Sequence, residues 1–312
     1  MLKKMFDSIG RYDAKSWARY LVFSLLAAWF IGSSLAWVRE DSMTHQAWPG
    51  AEFVELPSGK THYIDMGPRD APVVLLFHGS GRGIADWQEG FASALARDHR
   101  VIGFDYYGNG FSDRGFGLTY GYDIWSRQAI ELLDALEIEQ AVLVGHSVGG
   151  VVATVTAVDN PSRATGLVTI GTGNAIDPTH FALLIPGVGE LLLGSQSNFS
   201  ETFSEQHAEF ISKAHNVRGS RWAFLVYLRR QYTVDGLRML NGLYDDILVP
   251  TLHVSGTKDQ SVSHEAARTL ALQTGGAWRP FDGLGHNLHI EAPEQLASVV
   301  SRFSAGAVAL KH

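Results

Sequence analysis

Residues 141–150 have the sequence AVLVGHSVGG, in which an apolar strand meets a helix of small residues through a G-x-S-x-G turn. Gly145 and Gly149 are needed because a sharp strand-to-helix turn brings its flanks too close for side chains. Such a turn pushes Ser147 out at the carboxyl end of the strand, near a helix N-terminus that favours negative charge. The short pattern also arises by chance in loops, so the strand and helix around it carry the interpretation. Ser147 is therefore the candidate nucleophile.

Apolar strands and helices alternate on both sides of this segment. Besides 141–144, the predicted strands are 73–77, 101–105, 251–255 and 278–281, after a hairpin around the turn at 57–59. The predicted helices cover 87–96, 120–136, 264–273 and 294–303. Strands that are apolar throughout are typical of sheets buried on both faces, so the alternation predicts an α/β fold with a parallel sheet covered by helices.

The alternation stops between about residues 174 and 245, where aromatic residues recur at helix-like spacing. We interpret 174–245 as a helical cap inserted into a core formed by 51–173 and 246–312. The cap is rich in apolar side chains such as Ile185, Leu191, Leu192 and Leu193. These fit acyl-chain binding and packing within the cap equally well.

Residues 20–38 carry no charge and, as a helix, are long enough to cross the roughly 30 Å hydrocarbon core of a membrane. Five basic residues precede this segment, whereas one arginine and two acidic residues follow it directly. Lysine and arginine concentrate on the cytoplasmic side of membrane spans. We therefore expect a short basic cytoplasmic segment (1–19), a transmembrane helix (20–38), a tether (39–50) and a main domain on the outer side, periplasmic or extracellular.

Two alternatives remain for the apolar segment. Residues 34–36 (Ser-Leu-Ala) are small at positions that suit signal cleavage, which would release a secreted domain. A core or peripheral helix is the other alternative, although the α/β domain is complete without it. The apolar run exceeds the ~7–15 residues of a usual signal core, which favours a retained anchor.

Composition excludes several classes of protein. The chain of 312 residues contains no cysteine, which rules out disulfides, thiolate metal sites and cysteine nucleophiles. Its net charge is −7 and no stretch forms a basic patch, so we expect no nucleic acid partner.

A serine hydroxyl is a weak nucleophile at neutral pH and needs a base. On a turn of this kind the acid and then the histidine follow the nucleophile along the chain. His286 lies in a glycine-containing loop directly after the last predicted strand. His289 is the competitor, but we expect it to be packed at the start of the last helix. His286 is therefore the predicted base.

The acid that orients the base is predicted to be Asp259. It follows the strand 251–255 at the carboxyl edge of the sheet, where catalytic groups of open α/β sheets collect. Its loop precedes the His286 loop by one helix and one strand. Asp177 and Asp282 are the alternatives, and any aspartate in such a loop can also serve as a turn residue.

Acyl transfer requires N–H groups that stabilise an oxyanion. The turn at 145–149 supplies one from Val148, and the loop after Phe77 supplies another, for which Ser80 is the candidate. His78 in the same loop is expected to brace the loop through hydrogen bonds rather than to act as a base.

Five motifs occur in order: VVLLFHGSG (73–81), DYYGNGFS (105–112), GHSVGG (145–150), SGTKDQSVS (255–263) and GLGHNLHIEAPEQL (283–296). Together they resemble the α/β-hydrolase family, in the capped branch that holds esterases, epoxide hydrolases and dehalogenases. The resemblance covers about residues 52–303.

The resemblance implies a mostly parallel eight-stranded sheet, a helical cap, no cofactor, no metal, and an acyl-enzyme intermediate. Its site residues fall on Ser147 as nucleophile, Asp259 as acid and His286 as base, with Ser80 and Val148 as oxyanion amides. Epoxide hydrolases and haloalkane dehalogenases carry aspartate at the nucleophile position. Serine at 147 argues against both chemistries.

We expect an ester-cleaving serine hydrolase, of the carboxylesterase or lipase type, with a small apolar ester as substrate. The same triad can also cleave a carbon–carbon bond in a diketone or perform peroxide-dependent chemistry. A membrane-anchored binding protein without catalysis is the alternative from another class. No member of the triad is missing, which disfavours it.

Overall fold

The computed structural model of the chain describes residues 13–40, 48–115, 119–173, 180–198 and 200–309. The strands are β1 (Glu52–Leu56), β2 (Gly59–Met66), β3 (Val73–Phe77), β4 (Arg100–Phe104), β5 (Ala141–His146), β6 (Ala164–Ile170), β7 (Thr251–Gly256) and β8 (Ala277–Phe281). They form one sheet in the order β1-β2-β4-β3-β5-β6-β7-β8. β1–β2 and β2–β4 are antiparallel and the other pairs are parallel. The predicted mostly parallel, eight-stranded sheet is confirmed.

Helices cover both faces of the sheet. They are α1 (Ala14–Arg39), α2 (Ala85–Gln88), α3 (Phe91–Leu95), α4 (Tyr122–Ala135), α5 (Val148–Asp159), α6 (Phe181–Leu184), α7 (Val188–Ser195), α8 (Glu205–His215), α9 (Ser220–Gln231), α10 (Val234–Leu243), α11 (His264–Thr274), α12 (Leu288–Glu291) and α13 (Pro293–Ala309). The prediction of a single helix over 87–96 is wrong. Gly90 takes a φ of 118° and separates α2 from α3.

The alternation of side chains along the central strands builds two apolar cores. Leu75 and Phe77 of β3 belong to the cluster on the face covered by α4 and α5. Val74 and Leu76 belong to the opposite cluster, together with residues of α3 and α13. All four side chains are fully buried. This explains why β3 is apolar at every position, as expected of a strand covered on both faces.

Helices α6–α10, between β6 and β7, form the cap. Leu183 and Leu184 of α6 and Phe224 of α9 pack against the cluster that contains α4 and α5. The predicted insertion therefore corresponds to a helical segment that contacts the core. Its predicted first residues, 174–179, lie outside the described part of the chain.

The N-terminal apolar helix α1 is longer than the predicted 20–38. It begins at Ala14, where the carboxylate of Asp13 accepts a hydrogen bond from Ser16 N at 2.8 Å, and ends at Arg39. By length and composition it could cross a membrane: an 18-residue window within residues 15–39 has a mean hydropathy of 1.9, and only 6% of that window is buried. The two sides of the predicted tether are both anchored in the protein, because Glu40 and Trp48 are buried.

Candidate active site

Ser147 lies in a strained turn between β5 and α5. Its φ of 53° and ψ of −122° are unusual for a residue with a side chain and cost on the order of 1–3 kcal/mol. A Cβ on Gly145 would lie 2.2 Å from the carbonyl oxygen of Gly149, and one on Gly149 would lie 2.0 Å from that of Phe77. Only glycine fits at either position. Ser147 therefore has the backbone geometry of a nucleophile elbow.

His286 and Asp259 are hydrogen-bonded partners, with 2.7 Å between His286 Nδ1 and Asp259 Oδ2. The Asp259 side chain is fully buried and that of His286 is 16% exposed. The other oxygen of Asp259 accepts hydrogen bonds from the N–H groups of Ser261 and Val262, both at 2.8 Å. Asp259, rather than the alternative acid Asp282, is thus the carboxylate bonded to His286, and Asp177 lies outside the described residues.

The serine and the histidine converge on the end of β6. Ser147 N donates to the carbonyl of Ile170 at 2.8 Å. The next residue, Gly171, lies against the His286 ring, since a Cβ there would be 3.0 Å from His286 Nδ1 and 3.3 Å from Asp259 Oδ2. The fold thus brings Ser147, His286 and Asp259 to one place at the carboxyl edge of the sheet.

The loop after β3 reaches the same place. A Cβ on Gly79 would lie 3.0 Å from the ring of His146, the residue before the nucleophile. Ser80 follows directly, and Val148 is the first residue of α5, so its N–H has no acceptor within the helix. The two candidate oxyanion amides therefore belong to adjoining segments.

His78 braces this loop. Its Nδ1 lies 2.8 Å from Gly79 O, and its Nε2 accepts a hydrogen bond from Tyr106 N at 3.2 Å. Since a carbonyl can only accept, the proton is on Nδ1. Burial lowers the pKa of His78, which keeps the ring neutral and compatible with both bonds. Both nitrogens of His78 are engaged, as expected for a structural role.

Glu291 holds the loop that carries His286. Its two carboxylate oxygens accept hydrogen bonds from Gly285 N at 2.7 Å and Asn287 N at 3.0 Å, the residues on either side of the histidine. These contacts fix the backbone at 285–287. Glu291 was not predicted from the sequence, although a glutamate five residues after a loop histidine is within reach of that loop.

A buried polar cluster lies behind His286. The His146 ring is 4.7 Å from that of His286 and 4.3 Å from that of His289, and His146 Nε2 lies 3.1 Å from the carbonyl oxygen of His286. Asp86 lies 3.6 Å from His289 Nε2 and 2.8 Å from His207 Nε2. His289 is fully buried, within α12 rather than at the start of α13.

The charge in this cluster resides on Asp86. Burial alone raises the pKa of this carboxyl, but the charge of Arg82, a hydrogen bond from His207 and the nearby ring of His289 outweigh it and hold the pKa well below its usual value. Burial lowers the pKa of His146 far below its usual value, so that ring is neutral.

Asp86, His146 and His289 are also a group that could hold a metal ion, with ligand atoms within 4.8 Å of one another. Asp86 is already satisfied by His207 and Arg82. We therefore treat the group as a support for His286. This group was not predicted from the sequence because its members come from three distant segments.

The chain belongs to the α/β-hydrolase fold family, whose model matches residues 72–293. It is 32% identical to 2-hydroxymuconate semialdehyde hydrolase of Pseudomonas sp. strain CF600 over 246 residues, 75% of this chain and 87% of that protein. It is 30% identical to 2-hydroxy-6-oxo-2,4-heptadienoate hydrolase of Pseudomonas putida over 259 residues, 79% and 93% of the two chains.

Solved structures show the same similarity. The chain superimposes on a meta-cleavage product hydrolase from Pseudomonas fluorescens with a TM-score of 0.64 and 25% sequence identity, covering 82% of this chain and 98% of that one. We therefore place this chain among the hydrolases of the α/β-hydrolase fold.

Proposed function

We propose that this protein is a serine hydrolase that cleaves an ester through Ser147, His286 and Asp259. The observation that carries this proposal is the 2.7 Å hydrogen bond between His286 and Asp259, formed beside a serine on a strained elbow. A carboxylate that accepts the Nδ1 proton leaves the other ring nitrogen, Nε2, free to act as a base.

The reaction then proceeds in two halves. His286 Nε2 takes the hydroxyl proton as Ser147 attacks the carbonyl carbon, and the oxyanion accepts hydrogen bonds from the amides of Ser80 and Val148. The imidazolium returns the proton to the departing alcohol, which leaves an acyl-Ser147. Water, activated by the same histidine, releases the acid and restores the serine. No cofactor or metal is required for these steps.

The surroundings favour an uncharged, apolar acyl group. Arg82, the cation beside the oxyanion loop, is already paired with Asp86 at 3.4 Å and Glu201 at 3.3 Å. It is therefore poorly placed to bind a substrate carboxylate. Leu183 and Leu184 of the cap pack against the same apolar cluster as Val148.

Hydrolysis of a carbon–carbon bond is the second candidate, and the relatives favour it. Two of them are named as hydrolases of a semialdehyde and of a 2-hydroxy-6-oxo-dienoate. In that chemistry the same serine attacks a ketone carbonyl, and the leaving group departs as a carbon that must gain a proton. It also requires the site to accept a substrate that carries a carboxylate.

An active-site fluorophosphonate tests the serine directly. We expect it to label the wild-type protein and Ser301→Ala, a control on α13, but not Ser147→Ala. Hydrolysis of p-nitrophenyl esters should fall by about 10⁴-fold or more in Ser147→Ala. Unchanged ester hydrolysis in this variant would disprove the mechanism, and an unlabelled wild-type serine would favour a non-catalytic binding protein.

A substrate panel separates the two bond types. We expect kcat/KM for medium-chain esters to exceed that for a 2-hydroxy-6-oxo-dienoate by about 10²-fold or more, a difference of roughly 2.7 kcal/mol. The reverse order, with Ser147→Ala inactive on both substrates, would replace ester cleavage by carbon–carbon cleavage.

We further propose that α1 is a retained single-pass anchor, with the hydrolase domain on the outer side. Support comes from its length and apolar composition and from the excess of basic residues before it. Sodium carbonate should leave the protein in the membrane pellet at its full length. Release of a shortened protein would indicate a cleaved signal instead.

A further inference from the structure

Helix α1 lies against cap helix α7 over much of its length. A Cβ on Gly32 would lie 2.2 Å from the carbonyl carbon of Glu190, and one on Gly194 would lie 2.2 Å from Gly32 O. Nearer the N-terminal ends of both helices, a Cβ on Gly187 would lie 2.3 Å from Leu25 O. Small residues that let two backbones touch are typical of helix pairs within membranes.

A buried polar contact joins the end of α1 to the cap. The carboxylate of Glu40 accepts hydrogen bonds from Gly219 N at 2.7 Å and Arg221 N at 3.0 Å, at the start of α9, and lies 3.3 Å from Arg221 Nη1. The exposed fractions of Glu40 and Arg221 are 6% and 2%. The guanidinium of Arg218 stacks 3.6 Å from the ring centroid of Trp37. Glu40, the residue that follows α1, is therefore bonded to the cap.

The cap presents apolar side chains to the outside where it meets α1. Leu191 and Leu192 are on α7 itself, and Leu192 is 38% exposed. Ile185 lies two residues before the Gly187 contact and Phe181 one turn earlier, and both are exposed. Helix α1 also exposes apolar side chains, such as Phe30 at 66%.

The polar side chains Glu190 and Ser195 of α7 form hydrogen bonds inside the protein. Glu190 accepts hydrogen bonds from Gly187 N at 2.7 Å and from Arg229 at 2.8 and 3.0 Å. Ser195 Oγ donates to Leu192 O at 2.8 Å. Internal satisfaction of polar groups is the condition for placing a segment in hydrocarbon.

We infer that α1, α6 and α7 form one lipid-facing surface, and that the cap is inserted into the outer leaflet beside the span. This inference rests on the proposed anchor. The contacts with α7 run from Leu25 to Arg39, about 21 Å along a helix axis. The hydrocarbon of one leaflet is about 15 Å thick. If α1 spans the bilayer, α7 lies at the depth of the hydrocarbon, and lipid covers its exposed face.

The inserted surface adjoins the apolar core of the hydrolase domain. Leu183 and Leu184, between the exposed Phe181 and Ile185, face the core cluster against which Val148 also packs. An ester dissolved in the outer leaflet would meet this surface before it meets water. We therefore expect the substrate to be an ester of a long acyl chain that reaches the site from the bilayer.

The absence of cysteine from the sequence permits single-cysteine labelling of the full-length protein in phosphatidylcholine vesicles. Nitroxides at Leu192→Cys and Ile185→Cys should be accessible to oxygen and protected from a water-soluble nickel chelate. A nitroxide at Phe30→Cys shows whether α1 itself lies in the bilayer. Leu272→Cys, an exposed apolar position on α11, is the matched control and should show the opposite accessibility.

The outcomes separate the two proposals. Hydrocarbon exposure at Phe30→Cys with water exposure at Leu192→Cys would overturn the inserted cap and leave the anchor intact. Water exposure at both would overturn the anchor as well. Spin–spin broadening at Leu192→Cys would mean that a second copy, rather than lipid, covers the cap.

A kinetic comparison tests the route. In Leu191→Ser/Leu192→Ser, turnover of a long-chain ester embedded in vesicles should fall at least about 5-fold relative to wild type. Turnover of a short water-soluble ester should be unchanged, which also shows that the variant is folded. Equal turnover of the embedded ester by both proteins would overturn entry from the bilayer.

Discussion

The carboxyl edge of the sheet and the cap hold their polar groups in different ways. At the sheet edge, Asp259 binds N–H groups two and three residues away, and Glu291 binds N–H groups within six residues. In the cap, Glu40 binds Arg221 across 181 residues. The loops that carry Asp259 and His286 therefore each contain local backbone contacts, whereas the cap is joined to the N-terminal helix by a contact between distant residues. Damage to the first should change turnover, and damage to the second should change stability.

The largest predicted difference in turnover is between variants of His286 and His289, which are three residues apart. His286→Ala removes the base and should lower kcat by about 10⁴-fold or more with little change in Tm. His289→Ala empties a fully buried position and should mainly lower Tm. Ester kinetics and thermal unfolding measure both. An equal loss of kcat in the two variants would show that His289 shares the chemistry.

Glu40→Ala should give the next largest effect, in the cap. It leaves the buried Arg221 guanidinium without this carboxylate, which costs about 3–5 kcal/mol in free energy of unfolding. Arg221→Met added to it should recover part of the loss. The matched control is Glu294→Ala, which breaks the exposed pair with Arg97 and should cost less than about 1 kcal/mol. Denaturant unfolding in micelles measures all three, and equal costs for Glu40→Ala and Glu294→Ala would contradict the difference between the regions.

Glu291→Ala should affect turnover at the sheet edge without a comparable effect on folding. Loss of the two backbone contacts frees the His286 loop, and a misplacement of about 1 Å can cost 10²-fold in rate. We expect this loss in kcat with KM nearly unchanged, and partial rescue by Glu291→Gln, which keeps an acceptor. A change in KM alone would mean that the loop binds substrate instead of positioning the base.

Acid should weaken both regions together. Burial lowers the pKa of His215 in the cap to about 3 and that of His253 in β7 to about 4. Both imidazoles protonate near pH 6.5 when the chain is unfolded. Between these pH values the unfolded state binds more protons, so the free energy of unfolding falls as the pH is lowered from 6.5.

The expected slope is about 1.4 kcal/mol per pH unit for each of the two groups. Urea unfolding at pH 7, 6 and 5 measures it. His215→Gln and His253→Gln should each remove the contribution of one protonating group, about 1.4 kcal/mol per pH unit, from this slope. A slope that responds only to His253→Gln would mean that the cap opens separately from the core.

Local geometry made the site accessible to prediction from sequence. Ser147, Asp259 and His286 each follow a strand within a short loop, and the parallel sheet gathers such loops at one edge. Glu291 was equally local and was missed, because its role lies in backbone contacts rather than in chemistry.

Contacts between distant segments were not predictable in the same way. Nothing in the neighbourhood of Glu40 indicates Arg221, and the partners Asp86, His207 and His289 come from three separate elements. The break at Gly90 and the extension of α1 back to its N-cap Asp13 depend on one residue each. An apolar pattern determines that a helix forms more securely than where it begins or breaks.

The separation between Glu40 and Arg221 also bears on how the protein is made. At about 5–20 residues per second, the ribosome needs roughly 10–35 s to add the 181 residues between them. In a chain anchored as proposed, α1 is already in the bilayer during that interval, with Gly32 facing lipid. The cap helices can then pack against α1 only after they have been synthesised and moved across the membrane. In a chain anchored in this way, assembly of the cap would be completed at the membrane and not in free solution.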